Sequence, residues 1–303
     1  MTRHSYEYTF PVPLNGTQEE VFGALLDPRA LEAWFAEHVE VEPEVGGAFR
    51  FCGRHTYGTP GPDDATQALV RLEPPGALSF SWRLLERNSE VTWVVEEKSA
   101  DAGTGTYITV RHDFDAFPAI GRAAELIDDL WRIHTGNLCF FLNGETDMYR
   151  PDFSNPDPEV RCAIVIDAPP AAVFRALVEP GHIRAWFPAP NPVVEPRVGG
   201  KYGFGFSFEQ DGRKIEPPPM EILEFVENEK LTITWPDWRM DPAVPDQRVS
   251  WQLEDLGGRT RLTLRHTGFT RAVDVSDYPF GWQEFLGKIR GVAESIPERA
   301  GTA

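Results

Sequence analysis

Apolar and polar residues alternate with a period of two along several stretches of the chain. This alternation predicts antiparallel strands with one buried and one solvent-facing side. In the first half the inward positions are Leu78, Phe80 and Trp82, then Val91, Trp93 and Val95, then Ile108, Val110 and His112. A further inward strand face is predicted at Phe49, Phe51, Gly53, His55 and Tyr57, with the counterpart Tyr202, Phe204, Phe206 and Phe208.

Helical periodicity and capping signals predict the remaining elements. Thr17 and Glu20 have the spacing of a capping box, and Pro169 with Pro170 suits the first turn of a helix. Each half is predicted to close with a long amphipathic helix, at about 123–142 and 278–296. A curved antiparallel sheet covered by one long helix is therefore expected in each half.

The chain contains an internal repeat with an offset of just over 150 residues. The segment VFGALLDPRALEAWF, which begins at Val21, matches VFRALVEPGHIRAWF, which begins at Val173. Further matches, in the same order, are EPEVGG with EPRVGG, SFSW with TITW, VTW with VSW, and TYITVRH with TRLTLRH. We predict two domains of one type at residues 1–148 and 160–303, joined by a Pro-rich linker at 149–159.

These motifs resemble the START-like (SRPBCC, Bet v 1-like) superfamily, and most closely its subgroup of Hsp90-ATPase-activator-homologue-like proteins. The shared features are VF-x-AL…P…AWF, the VGG turn, the strand ending in RH and the Trp-bearing last helix. The resemblance implies an α+β class of fold, with tandem helix-grip domains and a cavity between each sheet and its long helix. Members of the superfamily use that cavity for lipids, sterols and polyketide-like aromatics, as carriers, as cyclases or aromatases, or to sequester toxic products.

Composition and charge exclude several classes of function. The chain carries 47 acidic and 29 Lys or Arg residues, a net charge of −18, which disfavours nucleic acid and anionic membranes as partners. No apolar run is long enough to span a membrane, and the N-terminus lacks a secretory pattern. Three dispersed cysteines and seven scattered histidines indicate neither a disulfide framework nor a metal site. We expect a cytoplasmic protein without cofactor or metal.

Aromatic residues make up 12% of the chain, and many fall on the inward faces, which is typical of small-molecule cavities. Plain core packing is the competing interpretation for each single ring. The candidate ligand-binding residues are Trp34, Phe49, Phe51, His55, Tyr57, Trp82, Trp93, His112, Trp131, His134, Phe204, Phe206, Trp235, Trp251, His266 and Trp282.

His112 and His266 are the candidate acid–base residues, since each follows two apolar inward positions. Their recurrence in both halves also fits a purely structural role. His55 and His134 lack histidine counterparts and are candidates for ligand specificity in the first half.

Three hypotheses remain open. The first is binding of a hydrophobic, aromatic, polyketide-like molecule in bacterial natural-product biosynthesis, transport or self-resistance. The second is a cyclase, aromatase or dehydratase that uses a pocket histidine. The third, which we rank last, is modulation of an Hsp90-type chaperone. Phe206 and Phe208 occupy the repeat positions of the smaller Gly53 and His55. We therefore expect the second domain to be the one whose cavity is filled by side chains.

Overall fold

The computed structural model describes residues 4–59, 61–116, 118, 121–146, 148–187, 189–205, 207–210, 213–216 and 218–297. The chain divides into two compact units. Unit 1 comprises the chain up to Pro156 together with Arg271–Asp277, and unit 2 comprises Asp157–Thr270 and the chain from Tyr278. The domain bounds expected from the sequence, 1–148 and 160–303 with a linker at 149–159, stay a prediction.

Unit 1 is an antiparallel sheet with two short helices and one long helix. Its elements are β1 (His4–Thr9), α1 (Gln18–Ala24), α2 (Pro28–Trp34), β2 (His38–Val41), β3 (Phe49–Cys52), β4 (Leu69–Glu73), β5 (Ala77–Leu84), β6 (Arg87–Ala100), β7 (Gly103–Phe114) and α3 (Ala123–Leu142). The larger sheet has the order β1-β7-β6-β5-β4, and β2 pairs with β3.

Unit 2 repeats this order with a longer sheet. Its elements are β8 (Val160–Ile166), α4 (Pro170–Val178), α5 (Pro180–Trp186), β9 (Val193–Val194), β10 (Lys201–Gly203), β11 (Phe208–Gln210), β12 (Arg213–Ile215), β13 (Met220–Val226), β14 (Lys230–Trp235), β15 (Gln247–Asp255), β16 (Thr260–Thr267) and α6 (Tyr278–Ser295). The main sheet has the order β8-β16-β15-β14-β13-β10-β9, and β11 pairs with β12. The predicted α+β tandem helix-grip architecture is confirmed.

The local signals read from the sequence act where they were expected. The Thr17 side chain accepts a hydrogen bond from the backbone N–H of Glu20, and the Glu20 carboxylate accepts one from Thr17 N–H. Pro170 occupies the first turn of α4, where a missing N–H costs nothing. Gly46 and Gly199 have φ of 89° and 71°, so the VGG turns need glycine.

One predicted strand face differs from the structure. β3 ends at Cys52 because Gly53 adopts φ of 102° and turns the chain, so His55 and Tyr57 lie in the following loop. In unit 2, β10 ends at Gly203, and Gly205 adopts φ of 67°. Phe206 lies outside the described residues, and Phe208 begins the separate β11–β12 hairpin. The prediction of one strand face with four or five inward residues in each unit was therefore wrong.

Candidate ligand cavity in unit 2

A cavity of about 730 Å³ lies in unit 2, where the end of α5, the strands β9 and β10 and the first residue of α6 come together. Its wall is mainly apolar, and the side chains that shape it are Phe187, Phe204, Met220, Trp235, Trp238 and Tyr278. Rings with a few polar groups among them are the usual lining of a small-molecule site.

The aromatic wall is held in place by contacts between the rings. The rings of Phe187 and Phe204 stack with centroids 3.8 Å apart. The Trp235 indole Nε1–H donates to the Tyr278 hydroxyl oxygen over 3.1 Å, which joins the end of β14 to the start of α6. These contacts leave a preformed, open face because Phe187 and Trp235 are only half-buried.

The loop between β14 and β15 forms one rim of the cavity. Trp238 is 41% exposed, which is unusual for tryptophan, and the Arg239 guanidinium lies 4.0 Å from its ring centre. Asp237 is buried, and its carboxylate accepts hydrogen bonds from the backbone N–H groups of Arg239 and Asp241. Rings at a rim of this kind can stack on a flat ligand without first leaving a packed core.

His266 lies behind the cavity wall, in ring contact with Tyr278 at 4.4 Å and Trp235 at 5.9 Å. The Trp282 Nε1–H donates to His266 Nδ1 over 3.1 Å, so the ring proton resides on Nε2. That Nε2–H donates to the Gln247 Oε1 over 2.7 Å. Both nitrogens of His266 are therefore engaged inside the protein.

His112 has the same arrangement in unit 1. The Trp131 Nε1–H donates to His112 Nδ1 over 3.2 Å, and His112 Nε2 is bonded to the Ser89 hydroxyl over 2.8 Å. Ser89 in turn donates to the Trp82 carbonyl oxygen over 2.6 Å. The chain thus keeps one buried Trp–His–acceptor network in each repeat.

Burial governs the charge of these histidines. Removal from water lowers the pKa of His112 to about 3 and that of His266 to about 3. A neutral imidazole with both nitrogens bonded neither takes up a proton near neutral pH nor reaches a ligand. The geometry favours the structural interpretation of this pair over the acid–base one.

Most of the other predicted site residues either line the cavity or lie in the cores. Phe204 and Trp235 line the cavity. Those buried in the cores are Trp34, Phe49, Phe51, Trp82, Trp93, Trp131, His134, Trp251 and Trp282. Trp34 and its repeat partner Trp186 donate their indole N–H groups to the carbonyls of Ala24 and Ala176, which ties the two short helices together.

His134 differs from the other buried histidines because its Nδ1 has no hydrogen-bond partner. Burial, with smaller contributions from His55 and Arg150, lowers the pKa of His134 to about 3. Its ring contacts Phe35 at 4.6 Å, just as Phe285 contacts Phe187 at 4.9 Å in unit 2.

His55 and Tyr57 are half-buried beneath the segment that precedes unit 2 in sequence. His55 Nδ1 lies 2.8 Å from the Pro151 carbonyl oxygen, and the Tyr57 ring contacts Phe153 at 5.5 Å. Burial lowers the pKa of His55 from its ordinary value. This part of unit 1 is covered by the chain itself rather than left open to a ligand.

Among the described residues, unit 2 has an apolar cavity of about 730 Å³, which contradicts the expectation that the second domain is the filled one. The depression of about 450 Å³ that borders β2 and β3 of unit 1 is lined by polar and apolar groups in similar measure, among them Glu32, His38 and Arg50. The expectation relied on a continuous inward strand face, but β10 ends at Gly203. The rim of the unit 2 cavity is instead formed by the loop after Trp235.

Sequence reasoning missed Ser89, Gln247, Asp237 and Trp238. Ser89 and Gln247 had a usable signal, because each stands two residues before the inward valine of the VTW or VSW motif. Asp237 and Trp238 lie in an irregular loop, where no periodicity indicates which side chains face inward.

The family of the chain follows from its two repeats. The family model for activator of Hsp90 ATPase homolog 1-like proteins matches residues 15–138 and again residues 167–294. The chain belongs to this family, in two tandem copies. None of the curated proteins matches the chain.

Several solved structures are similar. DynU16, from the dynemicin biosynthetic locus, is 19% identical over 96% of this chain and 94% of its own, with a TM-score of 0.37. CalU16 from Micromonospora echinospora is 22% identical over 46% of this chain and 85% of its own, with a TM-score of 0.35. The Aha1 dimer from Colwellia psychrerythraea is 18% identical over 45% of this chain and 96% of its own, with a TM-score of 0.37.

Within the described part of the chain, no helix is long and apolar enough to cross a membrane. No group of three or more His, Cys, Asp or Glu side chains there is placed to hold a metal ion.

Proposed function

We propose that unit 2 binds a hydrophobic, aromatic small molecule in its cavity. The observation that carries this proposal is the cavity of about 730 Å³ with its wall of rings. This volume lies within the range of roughly 300–1,000 Å³ that is usual for ligand sites. Burial of a flat ligand between Phe204, Trp235 and Trp238 removes apolar surface from water on both partners.

The geometry supports binding more than acid–base catalysis by histidine. His266 is the nearest predicted catalytic group, and its two nitrogens are bonded to Trp282 and Gln247. A role in natural-product biosynthesis, transport or self-resistance stays a prediction, as does a cyclase or aromatase activity. The chaperone hypothesis also stays a prediction, and stimulation of a chaperone ATPase by the full chain is its test.

The proposal is tested by titrating the full chain with 1-methoxypyrene, palmitate and cholesterol while intrinsic tryptophan fluorescence is recorded. We expect saturable quenching by the pyrene. Trp238→Ala should weaken its binding about tenfold, because one stacking ring is worth about 1–1.5 kcal/mol. Trp238 is already 41% exposed, so this change should leave the fold intact.

Trp82→Phe is the control variant in unit 1, since it also removes an indole but at a tryptophan in the packed core. It should leave the affinity unchanged. Failure of every probe to bind, or equal losses in Trp238→Ala and Trp82→Phe, would refute a ligand site in unit 2.

A further inference from the structure

Asp237 is the buried charged group of the cavity wall. It is 6% exposed, whereas the polar lining residues Lys201 and Asn191 are exposed. A buried carboxylate without enough donors is costly, whereas an exposed amine or amide is satisfied by water. Of these three polar side chains, Asp237 is therefore the one whose pairing depends most on the ligand.

The hydrogen bonds of Asp237 use only one of its two oxygens. The backbone N–H groups of Arg239 and Asp241 donate to Oδ2 over 3.1 and 3.3 Å. Among the described residues, none donates to Oδ1. A carboxylate oxygen accepts up to two hydrogen bonds, so Asp237 keeps acceptor capacity at the cavity wall.

The repeat shows that the fold does not require a carboxylate at this place. Two residues after Trp82, the tryptophan that corresponds to Trp235, unit 1 has Leu84, which is fully buried. Leu84 still lies in β5, whereas Asp237 lies in the loop after β14 that unit 1 lacks. The backbone of that loop uses only Oδ2 of Asp237, which leaves Oδ1 for a ligand.

We infer that Asp237 makes the cavity selective for aromatic ligands that present a hydroxyl or amino hydrogen to its carboxylate. The inference rests on the proposed function and adds a chemical class to it. A ligand with the same rings but no donor leaves the Asp237 oxygen unpaired after water is displaced, and it therefore binds more weakly. The recognised feature is the donor, whichever planar ring system carries it.

The test compares 1-hydroxypyrene with 1-methoxypyrene on the full chain at neutral pH, where a phenol keeps its proton. The two probes share the ring system and differ in the donor. We expect wild type to bind the hydroxyl probe about tenfold more tightly or better, as for hydrogen bonds to charged groups. Equal affinities would overturn the inference.

Asp237→Asn separates selectivity from loop structure. The single carbonyl oxygen of asparagine can still accept the two backbone N–H groups, while its amide offers a donor to the cavity. The preference should fall from about tenfold to about onefold, with 1-methoxypyrene binding retained. An unchanged preference in a folded variant would overturn the inference.

Asp241→Asn is the matched control in the same loop, with the same change of charge. Asp241 accepts the backbone N–H of Ala243 over 2.9 Å and does not line the cavity, so the preference should persist. Absence of binding for both probes to wild type would overturn the proposed function and this inference together. Equal binding of both probes would overturn the inference alone.

Discussion

Trp82 of unit 1 and Trp235 of unit 2 are repeat partners at or near the ends of β5 and β14, and they differ in burial. Trp82 is 2% exposed, and a tight turn at Leu85 and Glu86 leads from β5 directly into β6. Trp235 is half-buried, and the longer segment 236–246 follows it before β15 begins. The units thus differ in the length of the loop after this strand, and the longer loop of unit 2 supplies Asp237 and Trp238 to the cavity wall.

The largest expected effect comes from truncating this tryptophan in each unit. Trp82→Ala should lower the free energy of unfolding by about 3–5 kcal/mol, because it leaves a void among Phe51, His112 and Trp131. Trp235→Ala should cost only about 1–2 kcal/mol, since one side of the ring already borders the cavity. Urea unfolding followed by near-UV circular dichroism measures both. Equal losses would contradict the packing difference between the units.

Acid should destabilise unit 1 more steeply than unit 2. Unit 1 contains His112 and His134, and unit 2 contains His266, each with its pKa lowered to about 3 by burial. Because an unfolded histidine has a pKa near 6.5, protons bind the unfolded chain first. The stability from these groups is full above about pH 6.5 and is lost as the pH falls towards 3.

At pH 5 each buried histidine should therefore lower the free energy of unfolding by about 2 kcal/mol. The loss is about 4 kcal/mol in unit 1, which has two such histidines, and about 2 kcal/mol in unit 2. Hydrogen exchange of peptides from β7 and β16 at pH 7 and pH 5, corrected for intrinsic rates, measures the two units separately. His134→Phe places in unit 1 the residue type found at Phe285 in unit 2. It should remove the contribution of one histidine to the pH dependence of unit 1. Equal pH dependence in the two units, or no change in this variant, would contradict the assignment.

The helices and strands could be predicted from the sequence because they follow periodic patterns of apolar residues. The strand alternation, the capping box at Thr17 and the repeated AWF segment each reflect a local preference that the tertiary structure keeps. The closing helix Ala123–Leu142 has the predicted bounds, and its partner ends at Ser295, one residue earlier than expected.

The candidate site was less accessible to prediction because it depends on irregular chain. Phe204 and Trp235 were predicted from the alternation pattern, and both line the cavity, although Phe204 follows the end of β10. Trp238 and Asp237 follow a strand end, and their orientation depends on backbone hydrogen bonds such as that from Met240 N–H to the Asp237 carbonyl. The positive φ of Gly53 and Gly205, which ends the strand face, depends on the surrounding packing rather than on the alternation pattern.

The stoichiometry of ligand binding tests the central claim most directly. Isothermal titration of the full chain with 1-hydroxypyrene should give one site per chain. Trp82→Phe in unit 1 should preserve that site, and Trp238→Ala in unit 2 should weaken it. Two equivalent sites per chain, or a single site that is lost in Trp82→Phe and kept in Trp238→Ala, would contradict the account of an open cavity in unit 2 and a filled core around Trp82 in unit 1.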